Sequence, residues 1–281
     1  MKTYLPKWKI AALEPAQDRL RSKIGGLPWG LPPKKWPRCC GHPQKLLAQF
    51  CHEPPMLDLG GDGNVLHVFQ CLNLDDSGNT AFILHRSELG EGLTRIKDWD
   101  HKPEYGGELI GEFWLDRYTE EDDGIPRKRL ADFFDYEKLQ KLEEDFSDTI
   151  SKNDWFDGRR MTRFGGTPRW TGNGPMGFPD PPFEFLFQIH TGLHFDGKMP
   201  SADRVGCYVE KYSLASGKSH RVLRAEPRKV KKRLNAPWGI GQTVGWPYFI
   251  AEFTNLASDG TLYVFINRKR KPHKVAWFYN R

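Results

Sequence analysis

Near the start of the sequence, five residues that can ligate a metal ion lie close together: Cys39, Cys40, His42, Cys51 and His52. Cysteine and histidine are the usual zinc ligands, and a tetrahedral site needs four of them. Their spacing, however, is neither CxxC followed by CxxC nor CxxC followed by HxxxH. We therefore expect no bound metal and no cofactor, and interpret these residues as reduced thiols and ordinary histidines. A zinc site at this cluster is the alternative.

A second pair of candidate ligands is in the segment HTGLH, where His190 and His194 are four residues apart. On a helix this spacing would place both imidazoles on one face, but the zinc-protease motif requires Glu directly after the first histidine. Thr191 occupies that position, and Gly192 weakens a helix. Structural or surface histidines are the favoured interpretation.

The remaining motifs do not form a recognisable catalytic constellation. The glycine-rich segment LGGDGN (residues 59–64) lacks the lysine of a phosphate-binding loop and is typical of a turn. The sequence has neither a GxSxG nucleophile elbow nor a kinase signature. We therefore expect no enzymatic activity and name no catalytic residue.

A pattern of a Gly-Gly-x-Pro segment followed by an apolar run occurs twice in the sequence. KIGGLP (residues 23–28) is followed by the apolar run KLLAQF (residues 45–50), and RFGGTP (residues 163–168) is followed by EFLFQI (residues 184–189). The Gly-Gly pairs permit positive φ, and the prolines fix an extended exit. A repeat of this length indicates duplication of a structural unit. We expect one half in residues 1–155 and the other in residues 156–281, packed as one compact unit.

The distribution of apolar residues predicts mostly strands. Runs bounded by turn residues predict strands at residues 65–71, 81–85, 206–212, 248–253, 262–267 and 275–279. Within residues 131–150, four apolar residues recur at spacings of three and four, which predicts one amphipathic helix: Leu139, Leu142, Phe146 and Ile150. The predicted fold class is α+β, predominantly antiparallel β with an internal duplication and a few helices.

The net charge of +6 conceals segments of opposite sign. Residues 98–148 contain 17 Asp/Glu and 7 Lys/Arg, whereas residues 218–233 contain eight Lys/Arg, and the last residues from 268 onward are also basic. A basic surface can attract nucleic acid, an acidic protein or an anionic lipid, and the plain alternative is a solvated face. The stretch 218–233 contains no aromatic residue for base stacking, so nucleic acid is the weaker candidate.

The sequence also indicates a compartment. A run of 18 apolar residues, as a membrane helix needs, is absent, and Pro6, Lys7 and Lys9 interrupt the apolar residues near the start. Five cysteines is an odd number, which argues against a disulfide framework. We expect no membrane partner and a cytoplasmic location.

The paired segments SKIGGLPWGLPPKKWPRC…PQKLLAQF and MTRFGGTPRW…FEFLFQI resemble the YwqG-like family of bacterial cytosolic proteins, over most of residues 20–281. The resemblance implies an α+β fold rich in antiparallel strands and no established reaction. Family members often stand among the genes of polymorphic toxin systems, which implies an immunity role. A helix-rich acidic insert at residues 98–148 and the basic stretch 218–233 have no counterpart in the family pattern.

Together these observations predict an immunity (antitoxin) protein that occludes the active site of a cognate bacterial toxin. The expected partner-binding residues are tryptophans on exposed loops together with basic residues: Trp29, Trp36, Trp170, Trp238, Arg228, Lys229 and Lys231. Each tryptophan could equally belong to the core. The alternatives are a ligand-binding protein or enzyme with a site between the halves, in contact with the Gly-Gly loops, or a nucleic-acid-binding protein.

Overall fold

The structure of the protein is a computed structural model. It describes residues 1–10, 19–71, 78–94, 112–147, 158–171, 174–175, 177–190, 192–196, 208–209, 223–224, 240–242, 248–252 and 260–280. Four of the predicted partner-binding residues lie outside the described residues: Arg228, Lys229, Lys231 and Trp238. So does most of the basic stretch 218–233.

The described residues form mostly β-strands. The strands are β1 (Lys2–Ile10), β2 (Lys23–Gly25), β3 (Arg38–Cys39), β4 (His42–Pro43), β5 (Lys45–Cys51), β6 (Asn64–Gln70), β7 (Thr80–His85), β8 (Glu112–Asp122), β9 (Arg163–Gly165), β10 (Glu184–His190), β11 (Gly192–Asp196), β12 (Tyr208–Val209), β13 (Leu223–Arg224), β14 (Ile240–Gln242), β15 (Tyr248–Glu252), β16 (Thr261–Asn267) and β17 (Lys274–Asn280). The α-helices are α1 (Tyr136–Asp145) and α2 (Gly158–Met161), and 3-10 helices lie at Pro33–Lys35, Arg86–Glu88 and Arg127–Phe134.

Ten of the strands form one sheet in the order β17-β16-β10-β9-β1-β8-β2-β5-β6-β7. The long strands β1 and β8 pair antiparallel at its centre. On one side of this central pair, β8 is followed by β2 (three residues), β5 (seven residues), β6 and β7. On the other side, β1 is followed by β9 (three residues), β10 (seven residues), β16 and β17. The sheet therefore takes strands from both predicted halves and has the same arrangement on each side of its centre.

The two Gly-Gly turns at the ends of β2 and β9 have similar φ angles. Gly25 and Gly26 have φ of 70° and 69°, and Gly165 and Gly166 have φ of 62° and 66°. Two successive residues in the left-handed region are accessible mainly to glycine, which explains the residue type at these positions. The prediction that both segments form the same turn is confirmed for this backbone angle.

A buried glutamine supports each turn from the neighbouring strand. The backbone N–H of Trp29 donates to Gln49 Oε1 at 2.8 Å, and that of Arg169 donates to Gln188 Oε1 at 2.6 Å. Both glutamines are fully buried. The apolar runs that end near glutamine are thus the strands β5 and β10, and their glutamines hold the chain that leaves each turn.

The largest apolar core joins the two sides of the sheet. Its centre contains three phenylalanine rings, Phe50, Phe164 and Phe187, with centroids 5.1 to 5.2 Å apart. A second cluster packs α1 and the preceding 3-10 helix against Trp170 and the strands β16 and β17. A third packs residues 27–36 against β6 and β7. Much of the sheet is therefore covered on both faces.

The two edge strands of the sheet, β7 and β17, approach each other. Nearby, Arg268 Nη1 lies 3.2 Å from Asp58 Oδ2, and Arg268 Nη2 donates to the Asp58 carbonyl at 2.9 Å. The ring of His273 fills the space where a Cβ of Gly60 would lie. These contacts fix the β16–β17 turn against the glycine-rich segment, which forms the predicted loop.

Two sequence-based expectations require correction. The acidic segment was expected to be helix-rich, but its residues 112–122 form β8 at the centre of the sheet. The helix expected in residues 131–150 begins only at Tyr136, after Asp135 accepts a hydrogen bond from the Lys138 N–H as an N-cap. Leu139 and Leu142 are buried as the periodicity predicts, whereas Ile150 lies outside the described residues.

The general prediction of a mostly antiparallel β fold with few helices is confirmed for the described residues, where each strand pair is antiparallel. None of the helices in this part of the chain has both the length and the apolar character needed to cross a membrane.

Candidate functional site

The three described tryptophans of the predicted partner-binding set are buried. Trp29, Trp36 and Trp170 are 8%, 5% and 4% exposed. Trp36 Nε1 donates to the Gln44 carbonyl at 2.8 Å, and Trp170 Nε1 donates to the Phe133 carbonyl at 2.6 Å. The expected exposure of these three side chains is therefore wrong, and the alternative placement in the core is the observed one; Trp36 packs in the third apolar cluster and Trp170 in the second. They belong to the core.

The first Gly-Gly turn encloses a buried ion pair. Lys23 Nζ lies 3.2 Å from Glu112 Oε2 and donates to the Leu27 carbonyl at 2.6 Å. A Cβ at Gly26 would overlap the Glu112 carboxylate. Desolvation by burial lowers the pKa of Lys23, and Glu112 only partly opposes this effect. The space beside this turn is therefore occupied by the chain's own carboxylate.

The second Gly-Gly turn encloses a carboxylate from the other end of β8. Asp123 accepts hydrogen bonds from the Thr167 N–H at 2.9 Å and the Ile125 N–H at 3.0 Å. Burial lowers the pKa of the neighbouring Arg163 to about 9 and that of Arg169 to about 10. Both turns thus bind protein carboxylates, and this structural role accounts for the loops that were candidates for ligand contact.

Three thiols come together at the end of β6. Cys39 Sγ lies 3.5 Å from Cys40 Sγ, which lies 3.9 Å from Cys71 Sγ, and all three sulfur atoms are within 4.8 Å of one another. We call these residues the thiol cluster. Cys71 is buried, Cys39 is half-buried and Cys40 is exposed. The cluster therefore reaches from the core to the solvent.

A tight hairpin positions two members of the thiol cluster. The strands β3 and β4 pair so that Cys39 stands opposite His42, which leaves Cys40 and Gly41 as a two-residue turn. Their φ values are 54° and 77°, as such a turn requires. Cys40 is the only non-glycine residue with positive φ in the described part of the chain.

The structure separates Cys51 and His52 of the predicted metal cluster from these thiols, whereas the backbone of His42 stays opposite Cys39 in the hairpin. Lys45, the first residue of β5, pairs with Gln70, which precedes Cys71, whereas Cys51 is the last residue of β5. The length of the strand therefore places Cys51 about 20 Å from Cys71. His52 accepts a hydrogen bond from the Leu59 N–H at 2.9 Å. Cys51 and His52 are therefore not part of the thiol cluster. Its third member is Cys71, which lies 31 residues beyond Cys40 in the sequence.

The histidine pair does not lie on a helix. His190 ends β10, and His194 lies in β11, which begins at Gly192. His190 Nδ1 accepts a hydrogen bond from the Gly192 N–H at 3.1 Å, and the His190 N–H donates to Thr162 Oγ1 at 3.0 Å. These hydrogen bonds give His190 a structural role at the end of β10.

Within the described residues, several exposed cations lie together at the turn between β16 and β17 and the first residue of β17, which we call the basic turn (residues 268–274, RKRKPHK). Lys269, Arg270, Lys271 and Lys274 are exposed, and none of them pairs with a carboxylate of the described residues. Sequence composition had indicated a basic C-terminal region. It had not indicated that these charges project from a fixed turn.

Comparison with known proteins adds no assignment to these features. No protein-family model matches the chain, and no curated protein matches it.

Proposed function

We propose that this protein is a binding protein that docks on an acidic partner through the basic turn. The single observation that carries the proposal is the exposure of four cations on one short turn whose position is fixed by the Arg268–Asp58 contact. A preorganised patch of one sign accelerates encounter with a complementary surface and loses little entropy on binding.

The acidic segment (residues 98–148) is a weaker candidate for the docking surface than the basic turn, because most of its described carboxylates are neutralised by cations of the same chain. The ion pairs are Lys2–Glu120 at 2.6 Å, Arg160–Glu121 at 2.5 Å, Lys138–Asp135 at 2.9 Å, Arg129–Asp145 at 3.3 Å and Lys9–Asp116. Neighbouring opposite charges cancel at a distance, whereas the charges of the basic turn add. In the described part of the chain, the basic turn therefore presents a group of positive charges that no neighbouring carboxylate neutralises.

The aromatic residues next to the basic turn favour a protein over a single-stranded nucleic acid. Trp277 and Tyr279 of β17 pack against the main core, and Phe278 packs in the second cluster. Single-strand binders need exposed aromatic faces on which bases stack. The rings on this strand are engaged in packing, and an acidic protein needs only the cations.

Within this class we propose an immunity protein of the YwqG-like family, cytoplasmic and with a toxin domain as its partner. The support is the paired Gly-Gly-x-Pro pattern that carries the resemblance, together with the matching turns and matching strand order on the two sides of the sheet. We propose that this symmetry arose by internal duplication. Occlusion of the toxin's active site would require no catalytic residue in this chain.

Affinity capture from the native host tests the proposal. The tagged full-length chain should recover an acidic protein in a one-to-one complex, and mass spectrometry should identify it. Expression of that protein alone should arrest growth, and co-expression of this chain should restore it. Recovery of nucleic acid or a metabolite with no protein partner would refute the proposal, as would a partner that is harmless when expressed alone.

A further inference from the structure

The spacing of the three sulfur atoms in the thiol cluster fits a shared metal ion. Thiolates at a metal–sulfur distance of about 2.3 Å lie about 3.8 Å apart in a tetrahedral site and about 4.0 Å apart in a trigonal one. The separations of 3.5 Å and 3.9 Å, with the third pair within 4.8 Å, are close to both. Metal binding would need only small side-chain movements.

The backbone at Cys40 is an independent sign of function. A cysteine in the left-handed region is unfavourable relative to glycine or asparagine, which are the usual residues of this turn. No heavy atom lies within 4 Å of a Cβ built at the adjacent Gly41, so the turn is open to solvent. The turn keeps a thiol in a conformation that other residues adopt more easily, and places it beside two more thiols.

The surrounding contacts hold the thiol cluster from both sides. On the hairpin side, the Gln44 N–H donates to the Pro37 carbonyl at 2.9 Å, and Gln44 also accepts the Trp36 indole hydrogen bond. On the other side, the Cys71 N–H donates to Asn79 Oδ1 at 3.4 Å, and the Gln44 side chain reaches the Gly78 carbonyl. Such fixed outer contacts orient metal ligands and strengthen binding.

We propose that Cys39, Cys40 and Cys71 bind a soft d10 metal ion, Zn²⁺ or Cu⁺, as three thiolates. Soft thiolate ligands select these ions among the common metals. Each thiol loses its proton when the metal–sulfur bond forms, so binding of one ion releases up to three protons. Zn²⁺ would complete four-coordination with water or another exchangeable ligand, and Cu⁺ would be satisfied by three thiolates.

Titration of the reduced, metal-free, full-length chain tests this proposal. Zn²⁺ and Cu⁺ are offered in competition with colorimetric chelators, and Co²⁺ serves as a probe because each thiolate adds near-ultraviolet charge-transfer absorption. We expect one ion per chain, proton release on binding and a Co²⁺ spectrum typical of thiolate ligation. Cys71→Ser should weaken binding by about a hundredfold or more, since loss of an outer contact alone costs 10- to 100-fold.

Cys51→Ser is the matched control, because it removes a thiol that lies outside the cluster, and it should leave affinity unchanged. Cys40→Gly provides a second ligand deletion that suits the turn geometry, in case the buried Cys71→Ser variant fails to fold. Equal affinity of the wild type and Cys40→Gly would overturn the proposal. Absence of binding of both ions to the reduced chain would also overturn it.

Discussion

At the residue scale, the two Gly-Gly turns combine a backbone requirement with a steric one. Every substitution at Gly26 must adopt φ near 69°, and its Cβ would also overlap Glu112. Gly92 has φ of 73° but no atom within 4 Å of a built Cβ. Comparing substitutions at Gly26 and Gly92 therefore separates the cost of the left-handed conformation from the cost of displacing a buried carboxylate.

We expect Gly26→Ala to reduce the free energy of unfolding by several kcal/mol, and Gly92→Ala by only about 1 to 2 kcal/mol, the usual cost of the left-handed conformation. Urea unfolding of both variants checks this prediction. Equal losses would show that the Lys23–Glu112 pair moves aside without cost, and that the turn does not depend on this close approach.

Lys45 is a buried lysine whose pKa is lowered to about 8 by desolvation. The unfolded value is about 10.4, so between these pH values the unfolded chain binds one proton more and the folded state gains stability as pH rises. The gain from this group is roughly 3 kcal/mol across that interval, at about 1.4 kcal/mol per pKa unit. Below pH 8 the buried Lys45 side chain is charged, and its desolvation lowers the free energy of unfolding by this full amount.

We therefore expect Lys45→Met to be more stable than the wild type at pH 7, with the difference shrinking steadily between pH 8 and pH 10.5. Denaturant unfolding at pH 7, 8.5 and 10 measures it. Lys274→Met, at an exposed position, is the control and should change the free energy of unfolding little. A constant difference for Lys45→Met would contradict the lowered pKa.

At the scale of elements, each Gly-Gly turn depends on one glutamine of the adjoining strand. Gln188 makes three hydrogen bonds to main-chain groups, with the Arg169 N–H, the Arg169 carbonyl and the Met161 carbonyl, and Gln49 makes two, with the Trp29 N–H and the Arg21 carbonyl. Loss of either side chain leaves buried backbone groups without partners, at about 1 to 3 kcal/mol for each.

We expect Gln49→Leu and Gln188→Leu each to destabilise the protein by roughly 2 to 5 kcal/mol, with the larger loss at Gln188. Calorimetry or urea unfolding provides the values. Gln140→Leu, on the exposed face of α1, should stay within about 0.5 kcal/mol of the wild type. A large loss at only one of the two buried glutamines would contradict the equivalence of the turns.

The elements also show how far pattern reading extends. The strands β5, β6, β7, β10, β16 and β17 were predicted within two residues because they carry continuous or alternating apolar runs. The strand β8 was missed because its sequence, EFWLDRYTEED, is dominated by charge after the first four residues. Its pairing with β1 is a long-range interaction, supported by cross-strand pairs such as Lys2–Glu120 that local patterns do not reveal.

At the scale of the whole molecule, the distribution of unpaired charge determines where a partner is expected to bind. We expect the triple variant Lys269→Glu, Arg270→Glu, Lys271→Glu to slow association with the captured partner about tenfold or more at low salt, with a weaker salt dependence than the wild type. Stopped-flow or surface-based kinetics at several salt concentrations measures both effects.

Two further triple variants make this test specific. Lys34→Glu, Lys128→Glu, Lys141→Glu changes net charge equally at exposed positions elsewhere and should alter association little. Arg228→Glu, Lys229→Glu, Lys231→Glu examines the second basic stretch, which the sequence nominated. If only the last variant slows association, the partner docks on that stretch and the proposed role of the basic turn is wrong.

The sequence by itself determined the features that depend on local chemistry. Paired glycines specify two left-handed turns, apolar runs specify buried strands, and spacings of three and four specify one helical face, because each follows from backbone sterics or side-chain periodicity within a few residues. Only the tertiary structure decided which side chains are exposed and which meet. Trp29, Trp36 and Trp170 are buried, and Trp36 and Trp170 pack against residues of elements that are distant in the sequence. Cys71 reaches Cys40 because β6 returns antiparallel beside β5, a pairing that sequence spacing does not record.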